Sequence, residues 1–191
     1  MVIAIMPAFA GASYYDIFAA EVREKDHPKG KDLGLKLEAN VGAPIPTDGS
    51  DLLGYGVLTT DWIVVTTSHS GVLDSITQSG SSDPVWHNHY VTLGEDTDCP
   101  VSPVGELQLN VTDLTWETPG NTKIDGAEVK LTAIKTGVPS GTWHSGATGS
   151  PGGVVAVDTG TISDTFVSFQ LAGGPNSEIC VIVNDAITAT D

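Results

Sequence analysis

The sequence predicts an all-β fold, a two-sheet sandwich or jelly roll of roughly eight to ten strands. Three observations support this prediction: short apolar runs alternate with polar residues, β-branched residues are concentrated in those runs, and 22 glycines and 11 prolines interrupt the chain. Because 191 residues suit one domain and no charged or proline-rich linker occurs, we expect an apolar segment, residues 1–12, followed by a single β-sandwich domain, residues 13–191.

The strand pattern is clearest in two segments. Leu33–Ala39 places its leucines on one face and its charged residues on the other, and Glu106–Leu114 alternates in the same way. The run around Trp62–Val65 is apolar on both faces and predicts a more central strand. Asp125-Gly126 predicts a hairpin turn, since glycine adopts positive φ without steric cost.

Composition and charge exclude several partners. The chain is 40% hydrophobic and only 17% charged, which is enough apolar side chain for a packed core and too little charge for disorder. Its formal net charge is -16, so nucleic acid and anionic membrane surfaces would be repelled. A cation such as calcium, or a basic partner, remains compatible with this charge.

The apolar start of the chain has two interpretations. Met1–Ala12 resembles the apolar region of a secretory signal, with Ala8-Phe9-Ala10 in the cleavage pattern but without a basic start. It could instead be an assembly strand that inserts into another subunit. The side chains assigned to that contact are Val2, Ile3, Ile5 and Phe9.

Two further observations favour export and oppose a membrane span. Cys99 and Cys180 are the only cysteines, and their wide separation suits a long-range disulfide, although two unpaired thiols are the alternative. No later run reaches about 18 consecutive apolar residues, the length that suggests a spanning helix. We therefore expect a secreted protein, extracellular or on the cell surface.

The most chemically suggestive segment is Trp86–Tyr90, with the sequence WHNHY. On a strand, residues two apart share a face, so His87 and His89 would present adjacent imidazoles suited to copper or zinc. The alternative is a pair of structural, hydrogen-bonded histidines. The candidates for a third ligand are His69, His144, Glu95, Asp96 and Asp98.

Residues Trp86–His89 resemble the Trp-His-x-His strand in the soluble β-domain of copper membrane monooxygenases, where two such histidines help to hold copper. The resemblance covers these four residues alone, and no histidine follows a plausible cleavage point to supply that family's N-terminal ligand. A type 1 copper site is excluded because neither cysteine is followed closely by histidine.

Acidic turns offer oxygen ligands to calcium. Asp48 and Asp51 share one turn, and Glu95, Asp96 and Asp98 share another, but neither turn matches the EF-hand pattern. Solvated surface carboxylates are the alternative interpretation. A calcium cofactor is therefore compatible with the composition, with copper or zinc as the other cofactor prediction.

Catalytic patterns are missing from the sequence. Ser68-His69-Ser70 and His144-Ser145 place hydroxyls beside imidazoles, but sequence neighbours on a strand face opposite sides, and no nucleophile-elbow pattern occurs. Gly149–Gly153 contains no lysine and is not a phosphate loop. We therefore expect a non-enzymatic protein.

Two functions follow from these observations. The apolar start before a sandwich-type composition resembles secreted fibre, pilus or tubule subunits of archaeal and bacterial surfaces. That resemblance implies a homopolymer built by N-terminal strand donation, with acidic loops bridged by calcium. The alternative is an exported copper- or zinc-binding protein whose first ligands are His87 and His89.

Overall fold

The computed structural model describes residues 13–25, 34–135, 142–146, 152–157, 162–174 and 178–190, and all regular structure in these ranges is β. The all-β class predicted from the sequence is thereby confirmed. No helix in the described ranges is long and apolar enough to cross a bilayer. The strands are β1 (Ile17–Lys25), β2 (Gly34–Val41), β3 (Leu53–Thr59), β4 (Ile63–Ser68), β5 (His87–Glu95), β6 (Leu109–Leu114), β7 (Asn121–Asp125), β8 (Glu128–Lys135), β9 (Thr142–His144), β10 (Val154–Ala156), β11 (Ile162–Gly173) and β12 (Ile179–Thr188).

The arrangement of the strands differs from the predicted two-sheet sandwich or jelly roll. Six strands form a closed barrel in the order β11-β12-β6-β5-β4-β3, and four others form a sheet in the order β1-β2-β8-β7. Strands β9 and β10 make a separate two-stranded ladder. Alternation along a strand reveals which face is buried but does not reveal whether the sheet curls back on itself.

Two glycines in β3 allow the barrel to curl tightly. A Cβ atom on Gly54 would lie 2.3 Å from the ring of Phe169 on β11, and one on Gly56 would lie 2.7 Å from the carbonyl oxygen of Val64 on β4. Any larger residue would push these neighbouring strands away. Glycine within a strand commonly marks such a close approach or bend.

The barrel has an outer face that packs on the four-stranded sheet and an inner face that surrounds a separate apolar cluster. On the outer side, Tyr55, Val64 and Tyr90 are buried against a core that includes Leu37 and Leu131 of the sheet. The inner cluster contains Val65, Val91, Leu114, Val167, Phe169 and Val181. Neighbouring residues such as Val64 and Val65 therefore belong to different cores, as the two-residue period of a strand requires.

The disulfide bond predicted from the sequence joins Cys99 to Cys180. Cys99 lies in the loop between β5 and β6, and Cys180 lies near the start of β12, where it is paired with Asn110 of β6. The bridge therefore reinforces the place where the barrel closes between β6 and β12. Disulfides persist mainly in oxidising compartments, which agrees with an extracellular environment.

We predict that replacing both cysteines, Cys99→Ser with Cys180→Ser, lowers the free energy of unfolding by about 4 kcal/mol, because the bridge closes a loop with a sequence separation of 81 in the unfolded chain. Urea denaturation of the oxidised protein and the double variant measures this difference. Reduced wild-type protein is the control and should match the variant. A loss below about 1 kcal/mol would contradict a major stabilising role for the bridge.

Tyrosine side chains between the barrel and the sheet are protected from ionisation. Burial raises the pKa of Tyr55 and of Tyr90 well above the usual value. Burial, together with Tyr14 and Asp51, raises the pKa of Tyr15 to about 12. In each case the folded protein favours the neutral phenol.

We predict that stability falls as the pH rises above about 10, the pKa of tyrosine in an unfolded chain. A folded-state pKa above the unfolded value means that the stabilisation is complete below pH 10 and is lost progressively above it. Tyrosinate absorbance should therefore rise together with the unfolding transition monitored by circular dichroism. Phenol ionisation near pH 10 in a protein that remains fully folded would contradict this, and Tyr55→Phe should reduce the alkaline loss.

Candidate metal centre and barrel cavity

Three histidines converge at one end of the barrel because of the register between β4 and β5. His87 and His89 lie two residues apart on β5 and face the barrel interior, opposite Thr67 and Val65 respectively. His69 directly follows β4 and continues the inward-facing series of Val65 and Thr67. The two strands thus bring imidazoles that are far apart in sequence to the same place.

A carboxylate completes the cluster from the loop between β4 and β5, residues 69–86. Asp74 is held there by Gln78, whose Oε1 accepts hydrogen bonds from the backbone N–H groups of Asp74 and Ser75 at 3.0 and 3.2 Å. The Nε2 of Gln78 donates to the carbonyl of Val72 at 3.1 Å. These bonds fix the backbone on both sides of Asp74 and hold its side chain in position.

Both oxygens of Asp74 face the imidazoles. Oδ2 lies 3.2 Å from Nε2 of His69 and 3.7 Å from Nε2 of His89, and Oδ1 lies 3.2 Å from Nε2 of His87. All four residues are at most 4% exposed. The cluster is therefore a compact, water-excluded set of three imidazoles and one carboxylate.

Hydrogen bonds to the backbone assign the tautomers of two histidines. Nδ1 of His87 lies 2.7 Å from the carbonyl oxygen of Val85, and Nδ1 of His89 lies 2.6 Å from that of Thr115. A carbonyl only accepts, so each Nδ1 must carry the proton, and Nε2 of a neutral ring then presents a lone pair. Histidines that bind metals typically donate their other ring N–H to a backbone carbonyl or a carboxylate in this way.

Four polar atoms in the cluster have no hydrogen-bond partner of acceptable geometry. They are Nδ1 of His69, Oδ1 of Asp74, Nε2 of His87 and Nε2 of His89. Buried polar groups are nearly always satisfied, so several orphaned atoms at one point indicate an ion or water in the functional protein. Because most of them are lone-pair acceptors, a cation suits the site.

Burial also controls the charges in the cluster. It lowers the pKa of His89 to about 4, which keeps this ring neutral near pH 7. Burial alone would raise the pKa of Asp74, but His69 and His87 against its oxygens, with His89 nearby, hold that pKa well below its usual range. Burial of a carboxylate without a positive partner destabilises the folded state, and a metal ion would supply such a partner.

The structure brings together some of the predicted ligands and adds one that the sequence did not indicate. His87 and His89 are joined by His69, one of the third-ligand candidates, and by Asp74. One ligand atom from each of His69, Asp74 and His87 lies within 4.8 Å of the other two. This buried group can hold a metal ion.

Asp74 had no sequence signal that distinguished it from other loop aspartates. It follows a leucine in an irregular loop, without a ligand spacing or a strand period. Its position depends on the hydrogen bonds of Gln78, which only the folded loop reveals.

The other predicted ligands lie elsewhere. Glu95 is at the opposite end of β5 from His87, and Asp96 and Asp98 follow it in the next loop. His144 is half exposed on β9 and contacts Glu117. Within the described ranges, these residues do not join the histidine cluster.

The proposed calcium ligands Asp48 and Asp51 have local protein partners. Asp48 accepts hydrogen bonds from the backbone and hydroxyl of Ser50 at 3.0 and 2.6 Å. Asp51 accepts a hydrogen bond from the hydroxyl of Tyr14 at 2.9 Å. These turns are organised by their own contacts, and calcium at either one remains a prediction.

The histidine cluster borders an apolar cavity of about 510 Å³ inside the barrel. His69, Asp74 and His89 supply part of its wall, and the rest is mainly aliphatic. Leu109 and Val111 of β6 line this cavity but remain half-buried, so the interior is not filled by the side chains around it. Close-packed interiors rarely leave such a volume without an occupant.

The barrel is weakest where β6 meets β12. In the described part of the chain, these strands pair at two positions only, Cys180–Asn110 and Val181–Leu109. The neighbouring ladder between β5 and β6 extends over most of β6. The edge of β6 beyond Asn110 is therefore not covered by β12.

The assembly residues Val2, Ile3, Ile5 and Phe9 lie outside the described residues. Comparison with protein-family models, with curated proteins and with solved structures returns no match for this chain. The geometry of the cluster and of the cavity is therefore the basis for inferring function.

Proposed function

We propose that the protein is an exported metal-binding β-barrel protein that holds copper or zinc at the buried histidine cluster. One observation carries the proposal: the unpartnered Nε2 atoms of His87 and His89 converge on the carboxylate of Asp74. Neutral imidazole is a ligand that both copper and zinc favour. The disulfide agrees with export, since it suits an oxidising compartment.

A structural ion-pair network is the competing explanation for the cluster. That network would need protonated imidazoles to balance Asp74, whereas burial opposes a charge on His89. Only one carboxylate is present among three imidazoles, so further protonation would leave buried positive charge uncompensated. A metal cation offsets the charge of the carboxylate and accepts the lone pairs of neutral imidazoles, so it requires no charged rings.

We predict that the purified protein binds close to one equivalent of copper or zinc and that His87→Ala with His89→Ala abolishes this binding. Elemental analysis after dialysis against each metal measures the content, and competition between the two ions identifies the preferred one. His144→Ala is the matched control, because this histidine is exposed and lies outside the cluster. Equal metal content in the wild type and the double variant would refute the proposal.

A second candidate function is supported by the barrel cavity. We propose that the apolar N-terminal segment of one copy inserts along the edge of β6 in another copy, giving an extracellular homopolymer such as a filament, pilus or tubule. The aliphatic cavity and the two-residue pairing between β6 and β12 support this proposal. In an extended strand Ile3 and Ile5 would share one face, as an apolar insertion requires.

Length and charge are compatible with this assembly. Nine residues from Val2 to Ala10 extend to about 30 Å, comparable to the nine-residue strand β5. The segment contains no charged side chain, so its burial leaves no unpaired ion. The formal charge of -16 on each chain repels other copies, and calcium at acidic loops would reduce that repulsion.

We predict that deleting Val2–Ala10 abolishes filaments seen by electron microscopy and leaves a monomer in light scattering. Val111→Phe, which fills the cavity, should weaken assembly, whereas Thr112→Phe on the exposed outer face should not. A synthetic peptide of residues 1–12 should bind the deleted protein, with a scrambled peptide as control. Filaments that persist after the deletion would exclude strand donation by this segment.

A further inference from the structure

The loop between β4 and β5 contributes both a ligand to the cluster and a wall to the cavity. Within residues 69–86, Ser70, Val72 and Asp74 line the barrel cavity. His69 and Asp74 are the two residues of this loop that reach the cluster, whereas His87 and His89 belong to β5. The cluster therefore joins an irregular segment to a strand of the barrel.

From this arrangement we infer that His69 and Asp74 complete a closed, four-ligand structural zinc site that fastens the β4–β5 loop across one end of the barrel cavity. The inference rests on the metal-binding function proposed above and deepens it, since it assigns two further ligands and a role for the ion. A ligand set of three imidazoles and one carboxylate matches zinc chemistry, and four protein ligands leave no coordination position for a substrate.

The distances from Asp74 to two of the three histidines agree with such a site. Ligands about 2.0–2.1 Å from a tetrahedral zinc ion are separated from each other by about 3.3 Å. The two shortest separations, from Asp74 to His69 and to His87, are both 3.2 Å. His89 lies farther away, with its Nε2 3.7 Å from Asp74, so as the fourth ligand it would have to move closer when the ion binds.

Apolar packing holds the loop at its end, where Trp86 stacks on Tyr55, whereas the contacts beside Asp74 are polar. Ser75 Oγ lies 3.0 Å from Thr118 Oγ1, and the N–H of Ile76 donates to the carbonyl of Trp116 at 3.1 Å. The side chain of Ile76 is 63% exposed, so it contributes little to holding the loop. These contacts join the loop beside Asp74 to residues 116 and 118, whereas Asp74 itself reaches β5 through His87 and His89.

The role of Asp74 as a metal ligand differs measurably from a role as a structural acceptor. Asp74→Asn keeps the shape of the side chain and removes its charge. If Asp74 is a zinc ligand, this variant loses the stabilisation by zinc, while the metal-free protein keeps its stability because a buried charge has been removed. If Asp74 only accepts structural hydrogen bonds, the variant is destabilised equally with and without zinc.

The experiment compares wild type, Asp74→Asn, His69→Gln and the exposed control Asp61→Asn, each metal-free and with zinc. At a zinc concentration 100-fold above the Kd, we expect the melting temperature of wild type and of Asp61→Asn to rise by roughly 5–10 °C. Hydrogen exchange of residues 69–86 should slow in the same samples. Asp74→Asn and His69→Gln should show neither the rise in melting temperature nor the slower exchange. Because two variants are compared, the test still works if one of them misfolds.

The failures of the two proposals are distinguishable. Suppose that zinc binding requires His87 and His89 but that its affinity is unchanged in Asp74→Asn and His69→Gln. This result would overturn the present inference and leave the proposed function standing. Zinc binding that leaves exchange of residues 69–86 unchanged would overturn the fastening role. No zinc or copper binding by wild type would overturn both proposals.

Discussion

The antiparallel register between β4 and β5 is the constraint on which the candidate site depends. Thr67 is paired with His87 and Val65 with His89, so both histidines face the barrel interior beside the end of β4. A slip of one residue would turn both imidazoles toward the four-stranded sheet and move Asn88 and Tyr90 inward. The same register buries Tyr90 in the outer core, so the packing of that core and the geometry of the cluster enforce one another.

Burying this cluster opposes folding unless its charges and lone pairs are satisfied. Removing three imidazoles and a carboxylate from water costs several hydrogen bonds. The Nδ1 atoms of His87 and His89 regain partners in backbone carbonyls, and His69 pairs with Asp74, but four polar atoms of the cluster have none. Such a site persists in a marginally stable protein only if another component compensates for it. A bound ion would supply that compensation by accepting the lone pairs of the unpartnered atoms.

Much of the strand pattern was predictable because it is local. The alternation in Glu106–Leu114 corresponds to β6, and Asp125-Gly126 lies at the turn between β7 and β8. The pairing of Cys99 with Cys180 followed from the presence of only two cysteines. These features depend on residue types and short spacings that the sequence displays directly.

The features that escaped prediction depend on contacts between distant segments. Barrel closure requires the approach of Phe169 to Gly54, which lies on another strand far away in the sequence. The cluster requires Asp74 to be oriented by Gln78 within an irregular loop, where no periodicity exists. The pair of His87 and His89 was visible because a strand fixes the direction of alternate side chains, and a loop gives no such rule.

The bridge between Cys99 and Cys180 also determines how the protein would respond to mechanical tension. If the chain were pulled by its ends, the enclosed segment could not lengthen, because the covalent bond carries the load past it. Because the two cysteines are 81 positions apart, the disulfide prevents about 270–290 Å of chain from being extended. Strands β6 to β11 all lie inside this segment, so under load the protein would keep two of its six barrel strands, β6 and β11, within a length that cannot be stretched.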